Sequence, residues 1–124
     1  MTSRKPLMQS AKQSVPEKQE FAVGVALSSD EIAILAETFR LLGDPSRLKI
    51  LLSCMSGPIS VSEIAEKLEL SLSLVSHHLR HLRSARLVKG VRQSKHIFYE
   101  IADQHVSQVL QDMATHISED HLEK

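Results

Sequence analysis

Two closely spaced helix starts constrain this chain more than any other feature. Ser60-Val61-Ser62-Glu63 is a capping box, and the apolar positions after it, Ile64, Ala65 and Leu68, recur at helical spacing. Ser71 is a second good cap, and only Glu69 and Leu70 separate it from Leu68. Helices over about Val61 to Leu68 and Ser71 to Ser84 must therefore meet across a tight turn, which is helix-turn-helix spacing.

The second of these helices has a polar face of a particular kind. Leu72, Val75, Leu79 and Leu82 share one narrow stripe, while Ser73, Ser76, His77, Arg80, His81 and Ser84 fan across the opposite side. A merely solvated face carries Glu and Lys in helical pairs, but this one has no acid. Hydroxyls, imidazoles and arginines suit phosphates and base edges. His78 lies at the margin of the apolar stripe, where packing and reading are both open to it.

Beyond Arg86 the pattern changes to β-branched and aromatic runs, Leu87, Val88 and Val91, then Ile97, Phe98, Tyr99 and Ile101, around Gln93-Ser94-Lys95. They read as a β-hairpin. Placed directly after a helix-turn-helix, it forms the wing of a winged helix, with Arg92, Lys95 and His96 as a basic tip that can lie against DNA backbone.

Upstream, Ser28-Ser29-Asp30-Glu31 is another capping box, followed by Ile32, Leu35, Ala36, Phe39 and Leu42 at helical spacing. Gly43 ends that helix, and Asp44-Pro45 restarts one that runs to about Met55. At the other end Asp103 caps a helix to about Leu122, with a stripe of Val106, Val109, Leu110, Met113 and Ile117. The fold expected is mainly α with a small β-hairpin, occupying residues 28–124. Residues 1–27 read as a flexible tail, aperiodic over about the first 15, with a short helix from Pro16 to about Ala26 set against Gly24.

The net charge is zero, so a nucleic-acid partner has to be argued from distribution. Between Leu70 and Tyr99 stand Arg80, Arg83, Arg86, Lys89, Arg92 and Lys95 with no acid, whereas residues 100–124 hold six acids against Lys124. One part attracts anions and another attracts cations. Cys54 is the only cysteine, which excludes an intrachain disulfide and a multi-thiolate metal site within one chain, and fits a reducing compartment. The apolar run from Phe21 to Leu27 is only seven residues long and follows Glu17 and Glu20. Neither export nor membrane insertion is expected, and the cytoplasm is.

The order of elements, with L-G-D-P-S-R-L-K-I-L, S-L-V-S-H-H-L-R-H-L-R, L-V-K-G-V-R-Q-S-K-H-I-F-Y and then D-Q-H, resembles the ArsR/SmtB family of metal-responsive winged-helix repressors over roughly residues 30–120. Among its branches the chain looks most like the SmtB zinc sensors. The resemblance implies a homodimer whose first and last helices form the interface and whose winged helices occupy half-sites about 34 Å apart on an operator. On the polar face of the second helix Ser73, Ser76, His77 and Arg80 are expected in the groove, with Arg92 and Lys95 of the wing on phosphate. Many relatives carry a polar residue where this chain has Leu72 and a wing glycine where it has Ser94. The cysteine motif of arsenic- and cadmium-sensing relatives is replaced by Ser60-Val61-Ser62, so that thiolate site is missing.

His105 and His116 are eleven residues apart. On one helix that is about 16 Å of rise, too far for a single ion to bridge. A second copy of the helix laid antiparallel brings Asp103 and His105 of one subunit to His116 and Glu119 of the other, giving two identical sites per dimer. These four residues match the SmtB-type pattern, Asp-x-His followed by His-x-x-Glu. Two imidazoles and two carboxylates suit Zn(II) and tolerate cobalt. His121 falls outside the set. The resemblance also suggests that the second ring nitrogen of His116 bonds toward the backbone near Arg86, coupling the metal to the reading helix, so that zinc binding releases DNA. Two other readings stay open, a DNA-binding regulator answering another signal and a metal-buffering dimer without operator binding. No enzyme motif is present.

Overall fold

Each helix begins where a side chain satisfies its free N–H groups, and these caps divide the chain. The computed structural model describes residues 17–21 and 24–122, with side chains as far as Glu119. The expected tail over residues 1–16 and the side chain of His121 lie outside the described residues. The chain divides into two compact units, one ending at Arg40 and one beginning at Leu41.

In the first unit β1 (Lys18–Glu20) pairs antiparallel with β2 (Ala26–Ser28), in the register Lys18 to Ser28 and Glu20 to Ala26. This hairpin replaces the short helix expected from Pro16 to Ala26. Gly24, at φ 88°, takes a conformation in which a helix cannot continue. Helix α1 (Ser29–Leu42) then starts at a complete capping box: Ser28 Oγ accepts from Glu31 N at 3.1 Å and the Glu31 carboxylate accepts from Ser28 N at 2.9 Å. Lys18 Nζ lies 3.1 Å from the same carboxylate. The Ser28 N–H, and after it Lys18, hold Glu31 below the usual carboxylate range.

In the second unit α2 (Pro45–Ser53) is capped by Asp44, whose Oδ1 accepts from Ser46 N at 2.9 Å and Arg47 N at 3.4 Å. Then follow β3 (Ile59–Ser60) and α3 (Val61–Leu68), the latter closed at its start by the expected Ser60–Glu63 capping box. Helix α4 (Leu72–Ser84) is capped by Ser71 Oγ, which accepts from Leu74 N at 3.1 Å. Both α3 and α4 end on a non-glycine residue in the left-handed region, Glu69 at φ 58° and Arg86 at φ 63°. The next amide reaches back five residues in each case, Leu70 N to Ala65 O and Leu87 N to Leu82 O, both at 2.9 Å. The turn of the helix-turn-helix is thus a helix stop followed at once by a helix cap.

Strands β4 (Val88–Gln93) and β5 (His96–Ile101) form the expected hairpin, closed by Ser94-Lys95 with Ser94 at φ 58°. The sheet order is β3-β5-β4, with Ile59 opposite Tyr99 and Ser60 opposite Phe98. Helix α5 (Gln104–Leu122) follows, Asp103 Oδ1 accepting from Val106 N at 3.1 Å. Just before it, Ala102 N donates to Leu87 O at 3.0 Å.

The core of this unit gathers Ile50 and Leu51 of α2, Ile64 and Ala65 of α3, Val75, Leu79 and Leu82 of α4, then Leu87, Val88 and Leu110. Burying a branched aliphatic side chain of this kind contributes roughly 1.5–3 kcal/mol, so these residues fix α4 against α2 and α3. Leu72, expected on the buried stripe, is 56% exposed, and His78 takes the fourth place beside Val75, Leu79 and Leu82. Leu72 is the first residue of α4, one turn before the packed stretch, and stays more than half exposed. No helix among the described residues is long and apolar enough to cross a membrane.

Candidate nucleic-acid interface and metal centre

The winged helix places the outer side of α4 and the wing tip in solvent. On α4, Ser73, His77 and Arg80 are exposed and Ser76 is half-buried, while Arg92, Lys95 and His96 are exposed in the wing. Among the described residues Arg80, Arg92 and Lys95 enter no ion pair. Lys89 does, its Nζ lying 3.5 Å from Glu100 Oε2 across the β4–β5 ladder, so it is the one wing cation already neutralised. The His77 and His81 rings stand edge to face, with centroids 4.6 Å apart. These are hydroxyl, imidazole and guanidinium donors on a convex helix, beside a basic hairpin. Such a set can enter a groove while the hairpin touches phosphate.

Helix α5 and the Asp103 that caps it carry the four candidate metal ligands. Asp103 and His105 stand together at its start, Oδ1 and Nδ1 3.7 Å apart, with side chains 58% and 97% exposed. His116 and Glu119 are exposed near its far end, three residues apart and so on one face. The helix is continuous between them, and among the described residues no three His, Cys, Asp or Glu side chains gather to hold a metal within one chain. Between the two pairs Val109 and Met113 are exposed, as is Ile117 beside His116. The donors are hard oxygens and borderline nitrogens that, among the described residues, enter no bond but the Asp103 cap hydrogen bond and the Asp103–His105 contact. A tetrahedral zinc ion suits that set.

Cys54 belongs to neither site. It is buried, its thiol lies 3.5 Å from Ile50 O, and burial pushes its pKa up to about 12. A thiol held there is not a thiolate ligand. The exposed polar face of α4 was legible from the helical period, but the inner role of His78 was not, because its partner, Arg47, lies 31 residues away in the chain.

Comparison with known proteins supports the winged-helix assignment. Residues 44–89 match the family described as "Bacterial regulatory protein, arsR family". A Synechocystis transcriptional repressor SmtB homolog is 39% identical over 93 residues, which are 75% of this chain and 70% of the relative. The Mycobacterium tuberculosis transcriptional regulator NmtR is 41% identical over 96 residues, 77% and 80% of the two chains. The solution structure of apo-NmtR superposes with a TM-score of 0.65 at 36% identity, covering 83% of this chain and 87% of that one. A homodimeric winged helix-turn-helix DNA-binding domain from Mycobacterium bovis gives 0.63 at 29% identity, covering 82% and 94%. These relatives are named as regulators rather than enzymes, and the resemblance to the ArsR/SmtB metal-responsive repressors holds at the level of the family. The chain belongs to the arsR family of bacterial regulatory proteins, as a winged-helix transcriptional regulator of the ArsR/SmtB type.

Proposed function

We propose that the protein is a cytoplasmic, zinc-responsive repressor that binds operator DNA as a homodimer and leaves it when Zn(II) occupies two sites between the C-terminal helices. The observation that carries the reading is the split donor set of α5. Asp103 and His105 stand at one end, and His116 and Glu119 lie about 16 Å along the same rod, counted from His105 to His116 at 1.5 Å per residue. Each half offers two ligands and zinc takes four. An antiparallel second copy completes both sites at once and covers the exposed Val109, Met113 and Ile117. When bound, the ion would crosslink the two subunits, and Asp103, His105, His116 and Glu119 would hold it, with His116 linking that site toward Arg86 at the end of α4. Ser73, Ser76, His77 and Arg80 read the groove, with Arg92 and Lys95 on phosphate.

Linkage requires that metal and DNA weaken each other if they prefer different arrangements of the two subunits. The test is DNA affinity with and without a zinc chelator, for three proteins. The unsubstituted dimer loses DNA on zinc addition, His116→Ala binds DNA and ignores zinc, and Arg80→Ala binds DNA weakly yet still responds. If stoichiometric zinc leaves the affinity of the unsubstituted dimer unchanged, the sensor assignment fails. If no duplex binds even at low salt, where phosphate contacts are strongest, metal buffering replaces it.

A further inference from the structure

We propose that Arg47 and His78 form a positioning pair that seats the reading helix through a neutral imidazole on its inner face. The inference rests on α4 being the DNA-reading helix. His78 is 5% exposed, the one polar side chain among the buried residues of α4. A buried polar group needs a partner, and it has one from another helix: Arg47 Nε donates to His78 Nδ1 at 3.2 Å. The same guanidinium donates through Nη1 to Leu41 O at 3.2 Å, while the Arg47 amide is held by the Asp44 cap. Arg47 is therefore fixed at both ends and presents a rigid donor to α4.

Guanidinium nitrogens only donate, so Nδ1 must offer its lone pair and the ring proton sits on Nε2. The contact exists only while the imidazole is neutral. The charged and titratable groups facing His78 are Asp44 and Arg47 from the α2 end and His77 and His81 from its own helix. Burial first, then Arg47, hold the His78 pKa below the usual histidine value, with Asp44 opposing and the neighbouring imidazoles adding to the depression. A leucine at this place would pack, but it would leave Arg47 Nε without an acceptor. His77 and Arg80 stand immediately before and two residues after His78, so rotation of α4 about its axis displaces both groove-facing groups together.

The pair is tested with Arg47→Met, His78→Leu, the double variant, and His78→Asn, whose amide oxygen can stand where Nδ1 stood. The probe is duplex DNA enriched by the unsubstituted protein from a random library of about 30 base pairs, a length that spans two half-sites one helical turn apart. Each single variant weakens the enriched duplex about tenfold, the double variant is no weaker than the worse single, and His78→Asn recovers most of the loss. Affinity for an unselected mixed-sequence duplex, which phosphate contacts dominate, falls by less than about threefold. In the unsubstituted protein selective binding holds through the usual histidine range and declines only at lower pH, where the depressed His78 takes up its proton, and His78→Asn flattens that decline.

Additive single effects, an Asn variant no better than Leu, or equal losses on both duplexes would overturn the pair. Should the unsubstituted protein enrich no duplex, the DNA-reading assignment is what fails. The same cycle followed by urea unfolding then decides the pair, coupling supporting it and additivity overturning it.

Discussion

Glu69→Gly stabilises this protein, although it removes a side chain from the middle of its helix-turn-helix. Glu69 sits at φ 58° and ψ 48°, where the stop of α3 requires a left-handed residue. That conformation costs a residue with a Cβ roughly 1–2 kcal/mol. Glycine adopts it freely but gives back ~0.5–1 kcal/mol through its greater freedom in the unfolded chain. The Glu69 side chain is exposed and enters no ion pair or side-chain hydrogen bond among the described residues, so no contact is lost. The net gain is ~0.5–1 kcal/mol, or about 2–5 °C in Tm for a domain of this size. The assay is thermal unfolding at neutral pH and fixed protein concentration, since dimerisation shifts Tm by mass action. Glu69→Gln is the control, removing the charge from the helix C-terminus while keeping the backbone strain. A glycine variant that melts lower than the unsubstituted chain, or a glutamine variant that gains as much as glycine, would refute the reasoning.

On the proposed reading, in which Arg92 and Lys95 each meet one phosphate, Arg92→Ala and Lys95→Ala each lower the salt slope of DNA binding by about one, whereas Lys89→Ala changes it less, its charge being already matched by Glu100. Asp44 is held below the usual carboxylate range by the Arg47 and Ser46 N–H groups, burial opposing. Its contribution is present above the unfolded carboxylate value and is lost as pH falls through the lowered one. Urea midpoints therefore drop in acid for the unsubstituted chain and drop less for Asp44→Asn, which still caps α2. Cys54 is alkylated at pH 8 orders of magnitude more slowly in the folded chain than in urea, its thiol being held near 12. Equal rates would show that the thiol is not buried in solution.

Every helix of the second unit, and α1, could be placed from local chemistry, because Ser28–Glu31, Asp44-Pro45, Ser60–Glu63, Ser71 and Asp103 each satisfy N–H groups a few residues away. The β4–β5 wing was equally legible from its β-branched runs. What escaped local reading depends on distant partners. β3 is two residues long and exists only because Tyr99 and Phe98 pair with it, and the β1–β2 hairpin was hidden by a helix start at Pro16. Leu72 was expected on the buried stripe and is exposed, while His78, for which packing and reading were both open, is buried against Arg47 of α2, a partner that helical period cannot reveal. The exposed face of α4 was visible from period and composition. The donor pairs on α5 needed the family pattern as well, since no spacing within one helix can bring them together.

The backbone bond from Ala102 N to Leu87 O leaves almost no slack in the chain. Asp103 is the very next residue after Ala102, and Leu87 lies three residues beyond the end of α4. The root of the C-terminal helix is therefore tied by a backbone bond to the residue that follows the stop of α4, rather than through a loop. The wing hairpin between them hangs from that clasp like a tab on a ring. Two glycines inserted at Ala102 would lengthen that tie without touching the Ser71 and Asp103 caps that start the two helices.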